Sequence, residues 1–292
     1  MSHKYLTLLF PFLLTACADT DGLSGSSWNA DSTGYVALNI CLPATGGAGM
    51  RASSDGTLTD GEKKEYAVND ATLVLFAGNN EEEALFEGAY MVPARFTTDG
   101  STSQVTVSSR VTRKIRQVEH GNVYAYVILN GIGAGVVDTE DGAATDDIQH
   151  TALTVKTKDG TVTLSRQAPV TFRKFLQYVT DATDTRRGFL MTNAPLYDKS
   201  TNIVQTLSII APERIKLTPE EAEGEAATEV YVERVMAKVS LVDGRDKAKL
   251  QYSVTNEAGK KTTYNVTLKN WVLDNTNRSA YLTRHATTAD FK

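Results

Sequence analysis

Apolar and polar residues alternate with period two along most of the chain, the pattern of strands that bury one face. Over residues 35–42 it places Val36, Leu38, Ile40 and Leu42 on one side, and Pro43 ends the run before the glycine-rich loop 44–51. Residues 70–76 are almost continuously apolar, as expected of a central strand, and Gly78, Asn79 and Asn80 follow as a turn. Shorter strands are expected at Leu85-Phe86, at Tyr90-Met91-Val92 and over 103–107. The strongest lies at 122–130, where Val123, Ala125, Val127 and Leu129 alternate with Tyr124, Tyr126 and Ile128. Further on, Tyr231, Glu233, Val235, Ala237, Val239 and Leu241 share one parity. Residues 249–254 and 262–273 alternate likewise, with Asn256-Glu257-Ala258-Gly259 as the hairpin turn between them.

Helical spacing is scarce. Phe172, Phe175, Leu176 and Val179 predict a connector helix over 169–179, and Pro219 followed by Glu220-Glu221-Ala222-Glu223 predicts one turn. These elements sum to a mainly β chain, an antiparallel β-sandwich with one or two short helices and no internal repeat.

The first residues change the picture. Met1-Ser2-His3-Lys4 precedes an apolar run over 5–14 and then Leu14-Thr15-Ala16-Cys17. A short basic start, an apolar stretch and small residues before a cut define a secretory signal. The run is shorter than the roughly 20 residues that a spanning helix needs. Leu-Thr-Ala-Cys resembles the bacterial lipobox, which implies cleavage before Cys17 and diacylglycerol on its thiol. Two or three acyl chains anchor firmly where one holds only marginally. Residues 18–27 are small and polar, a tether rather than a folded unit.

Composition narrows the chemistry. With 292 residues and 41% hydrophobic content the chain suffices for one large or two small domains. Net charge is -5 and the basic residues are dispersed, so no nucleic-acid partner is expected. Cys17 and Cys41 are the two cysteines. With Cys17 lipidated, Cys41 has no disulfide partner and is expected as a small buried strand residue, because Ile40 and Leu42 offer no electropositive setting for a reactive thiol. His3, His120, His150 and His285 have no metal-ligand spacing and are expected at the surface. The acidic loop 138–147 lacks the Asp-x-Asx-x-Asx-Gly spacing of a calcium loop, and Glu81-Glu82-Glu83 is expected as a charged turn. No nucleophile elbow, phosphate loop or dinucleotide fingerprint is present. No catalytic residue, metal or cofactor is therefore expected, although a Ser/His/Asp set assembled in space would leave no local signature.

Several stretches resemble the fimbrillins of Bacteroidales bacteria, lipoprotein precursors of major and minor fimbriae. They are the strand ending at Pro43 with its Gly-rich loop and Arg51-Ala52, then 123–130, 188–193, 232–239 and 270–275 followed by Ser279-Ala280-Tyr281. The match runs in order along nearly the whole chain.

The resemblance implies a fold of two transthyretin-like Greek-key sandwich domains in series, and a route through the outer membrane as a lipoprotein held by Cys17. An Arg- or Lys-specific protease would cut between Arg51 and Ala52 and remove the first strand, with Val36, Leu38, Ile40 and Leu42. A strand from another fimbrial subunit would fill the opened slot, building an adhesive fimbrium able to meet host or bacterial surface ligands. The expected organisation is a signal peptide at 1–16, a lipidated propeptide with the first strand at 17–51, and the β domain at 52–292. The family's C-terminal second domain is expected to be absent, which would suit an acceptor-only anchor or tip subunit. Two other readings are a non-polymerising, surface-anchored binding lipoprotein, and a secreted hydrolase on a sandwich scaffold. The second requires a concave pocket with convergent polar groups.

Overall fold

The computed structural model describes residues 28–42, 67–92, 97–99, 106–118, 121–138, 152–181, 187–236, 251–265 and 278–291. In chain order the elements are β1 (Thr33–Leu42), β2 (Ala71–Gly78), β3 (Leu85–Met91), β4 (Thr97–Asp99), β5 (Thr106–Arg116), β6 (Asn122–Leu129), β7 (Val137–Asp138), β8 (Leu153–Thr157) and β9 (Gly160–Leu164). Next come α1 (Phe172–Phe175), β10 (Val179–Thr180), β11 (Met191–Asn193), β12 (Leu196–Asp198), β13 (Ile203–Gln205), β14 (Ser208–Ile210) and α2 (Pro219–Gly224). The chain continues through β15 (Thr228–Arg234), β16 (Gln251–Thr255), β17 (Lys261–Asn265) and β18 (Ala280–Tyr281). It is mainly β, with antiparallel and mixed sheets and two short α-helices.

The principal sheet has the order β3-β2-β6-β11-β15-β1-β5-β4, and β14 also pairs with β6. Its centre follows from the two strongest sequence runs, because β2 and β6 are apolar at both parities. Leu73 and Leu75 of β2, with Val123, Ala125, Val127 and Leu129 of β6, enter one cluster together with the inward side chains of β1. Val74, Phe76, Tyr124, Tyr126 and Ile128 enter a second cluster on the opposite face, with β8, β9 and α1. A strand buried on both faces must be apolar throughout. These two are.

Two motif asparagines complete the edge of β6. After Met191 and Thr192 pair with Leu129 and Ile128, the Asn193 amide replaces a strand. Its oxygen accepts the Val127 N–H at 2.8 Å, and its nitrogen donates to the Ala125 and Thr206 carbonyls at 3.0 and 2.9 Å. β14 then takes over the same edge opposite Ala125, Tyr124 and Val123. Asn130, at φ 58° where the chain leaves β6, donates to the Ala67 and Phe189 carbonyls and accepts from the Asn69 N–H. Gly188, at φ +105°, lies against that amide, and a Cβ there would collide with it.

Four sequence expectations need correction. The connector helix is a single turn, α1, because its apolar payload is two rings: Phe172 and Phe175 are fully buried, and the backbone then leaves for β10. In β15 the buried residues are Thr228, Val230 and Val232, whereas Tyr231 faces outward, so the inward parity is opposite to the one read from Tyr231. The segment of that reading beyond residue 236 lies outside the described residues, as does 266–273. Of the short strand expected at 103–107, residues 106 and 107 open β5, which runs on to Arg116, and 103–105 lie outside the described residues. Finally, the strand pairs are not all antiparallel, because β1 and β15 are parallel. The hairpin expected around Asn256–Gly259 is present as β16–β17, exposed along its described side chains.

Candidate functional site: the slot around the first strand

β1 is an interior strand. One edge pairs antiparallel with β5 along its full length, from Thr33 opposite Arg116 to Leu42 opposite Val107. The other edge runs parallel to β15, from Leu38 opposite Thr228 to Cys41 opposite Tyr231. Among the described pairs this is the single parallel one. Ahead of it, Tyr35 and Lys216 exchange backbone hydrogen bonds at 2.7 and 2.8 Å. The chain just before α2 thus closes the remainder of that edge.

The inward face of β1 is aliphatic. Val36, Leu38 and Ile40 are fully buried and Leu42 is 7% exposed, all within the cluster shared with β2 and β6. These are the four side chains that alternation assigned to one face. Trp28, just ahead of the strand, packs against the same cluster.

The outward face is divided. At its first half Ala37 packs against Ala222 of α2 and Ala227, with Tyr35 beside them. Helix α2 is held in place by local chemistry. Thr218 and Glu221 form a reciprocal capping box at its start. The Arg110 guanidinium, from β5, donates to the Glu223 and Glu225 carbonyls at its end, at 2.8 and 2.5 Å. Beyond α2 the face opens. The Asn39 amide donates to both oxygens of Glu229 at 2.9 and 3.0 Å, and the Cys41 thiol approaches the second at 3.7 Å.

Cys41 is free and only half-buried, rather than a fully buried apolar residue. Burial, and then the negative charge of Glu229, push its thiol up to about 11. It stays protonated and unreactive at neutral pH.

Sequence reasoning missed three contributors to the slot. Beyond Val107, β5 was hidden by its charge, since Arg110, Arg113, Lys114 and Arg116 interrupt the apolar pattern. Ser109, Val111, Arg113 and Ile115 nevertheless share the buried face at period two. Arg113 fits because its guanidinium reaches the Tyr90 ring, 5.7 Å from the centroid. Glu229 and the small residues around α2 carried no local signal, because their role exists only across strands.

The remaining expected residues are placed as follows. Cys17, Arg51 and Ala52 lie outside the described residues, as do His3, His120 and His150. His285 is exposed. Asp138 pairs with Lys156 at 3.2 Å, and the rest of the acidic loop lies outside the described residues. Glu82 and Glu83 form an exposed charged turn with Arg173. Glu81 does not belong to that solvated turn. Its carboxylate accepts the Thr206 and Leu207 N–H groups at 2.9 and 3.3 Å, and burial pushes its pKa up to about 7. Among the described residues no group of three or more His, Cys, Asp and Glu is arranged to hold a metal, and no helix is long and apolar enough to cross a membrane. No family model and no curated protein matches this chain.

Proposed function

We propose that this chain is the precursor of a bacterial fimbrial subunit of fimbrillin type, in which β1 is a removable strand occupying the place of another subunit's strand. In this reading the chain is exported, lipidated on Cys17 at the outer membrane, and cut between Arg51 and Ala52. The sheets are read as a Greek-key sandwich of transthyretin type. The partners are sister subunits, an Arg-specific protease and surface ligands, and the role is structural rather than catalytic.

The observation that carries the reading is the position of β1. It is joined to the residues after it through 43–66, the segment that contains Arg51, yet it is paired on both edges and buried along one face. Four large apolar side chains, at about 1.5–3 kcal/mol each, contribute on the order of 6–12 kcal/mol, an upper value for a compact unfolded chain. A domain is stable by only about 5–15 kcal/mol. Losing β1 would therefore unbalance the fold and leave the edges of β5 and β15 unpaired, which is the condition for strand addition from another chain.

The test is N-terminal sequencing of protein recovered from the cell surface, with and without an Arg51→Ala substitution. The expected result is a mature species beginning at Ala52 that disappears in the variant, together with any high-molecular-weight fibre. A surface protein beginning only at Cys17 would point instead to a lipoprotein that stays anchored.

A further inference from the structure

The precursor strand also shows what a replacement strand must look like. We propose that the slot discriminates among donor strands at two outward positions: a small residue in the Ala37 register, beneath α2, and a hydrogen-bond donor without negative charge in the Asn39 register, facing Glu229. The partner is thus a strand of another subunit with four alternating inward apolar residues, an alanine-sized residue after the first of them, and an Asn-like residue after the second. This inference rests on the strand-exchange reading above.

The first requirement is steric. Ala37 is 4% exposed, Ala222 is 1% exposed and Ala227 is 8% exposed, so three methyl-sized side chains form the contact between strand and helix. α2 cannot readily withdraw, because Arg110 ties its last carbonyls to β5 and the capping box fixes its start. A larger residue in this register meets a closely packed wall, and overpacking of this kind costs binding.

The second requirement is electrostatic. Asn39 stands in one cross-strand row with Glu229 on β15 and Arg110 on β5. Arg110 is committed to the α2 carbonyls, whereas both Glu229 oxygens accept from the Asn39 amide. Among the described residues no cation lies within ion-pair distance of Glu229. An aspartate in the Asn39 register would set two like charges directly opposite each other and remove the donor. The two positions differ in strength, since Ala37 is enclosed whereas Asn39 is partly open to water.

The experiment uses the full chain with a site-specific protease sequence inserted within 43–66. After cleavage, synthetic peptides spanning residues 29–43 compete for the slot, followed by native mass spectrometry and displacement of a fluorescent native peptide. The native peptide is expected to rebind. The Ala37→Leu peptide should bind about 10- to 100-fold more weakly, and an Ala222→Gly substitution in the receptor should recover part of that loss. The Asn39→Asp peptide should bind about 5-fold more weakly, and Glu229→Gln in the receptor should cancel the difference. Equal binding of the native and Ala37→Leu peptides would overturn the selectivity while leaving strand exchange intact. Failure of the native peptide itself to rebind would sink the strand-exchange reading.

Discussion

The two clusters on either face of β2 and β6 are closed in different ways. The one holding β1 is aliphatic apart from Tyr90, with Trp28 and Phe189 at its margin. The other adds seven aromatic rings to its aliphatic residues. Phe175 lies 5.5 Å from Phe76 and 5.2 Å from Tyr126 between ring centroids, both edge to face, and Phe172, Phe86 and Tyr178 extend the set. Aliphatic side chains on a strand can be exchanged for others of similar volume, since their packing is not directional. Edge-to-face rings interlock at fixed angles and lose more when one is removed. On the proposed strand-exchange reading, the β1 face is the one refilled by a partner while the other face holds the frame.

The largest expected effect tests the face with the seven rings. Phe175→Ala should lower stability by about 3–5 kcal/mol, measured by denaturant unfolding. Leu38→Ala, on the β1 face, should cost about 2–5 kcal/mol, but with a local signature. Hydrogen exchange should rise in β1, β5 and β15 while the amides of β8 and β9 keep their protection. Uniform loss of protection in that variant would break the comparison, because the two faces would then open together.

Asn193→Ala sharpens it from the shared frame. The change strands the Val127 N–H and the Ala125 carbonyl at the middle of β6, and unmet buried backbone groups cost about 1–3 kcal/mol each. Both clusters should loosen in this variant, since β6 faces both. A calorimetric melt shifted less than that of any exposed alanine variant would reject the strand-mimic role.

The smallest effect is one of pH. The Glu81 carboxyl sits at about 7 in the folded chain against an ordinary 4.5, chiefly through burial. The folded state therefore binds this proton more tightly than the unfolded one. Its contribution is full below about pH 4.5 and is lost as pH rises through about 7. Thermal melts across that window should show the wild type losing stability relative to Glu81→Gln as pH rises. Parallel curves would remove the burial argument.

Much of this was legible in the chain. The face of β1 with Val36, Leu38, Ile40 and Leu42, the doubly apolar β2 and β6, the β16–β17 hairpin and the single turn after Pro219 all followed from periodicity and turn residues. The errors have one origin. Tyr231 looked inward because it is large and apolar, but its exposure is set by which face of β15 meets the cluster containing β1. The charged part of β5 beyond Val107 carried no strand reading, but an arginine stem can be buried when a ring receives the guanidinium. Glu81 looked solvated in an acidic triplet, but two backbone N–H groups from a distant loop claim it.

Residue order alone determined which side chains alternate, where the chain turns, and which strands are apolar on both faces, because those are properties of neighbours along the backbone. Which strand lies beside which was decided only by the tertiary structure. That includes the parallel seating of β1 against a strand nearly two hundred residues away and the Ala37, Asn39 and Glu229 contacts that result. The reason is that a strand satisfies only half of its hydrogen bonds on each edge, and any strand of matching pattern can supply the rest.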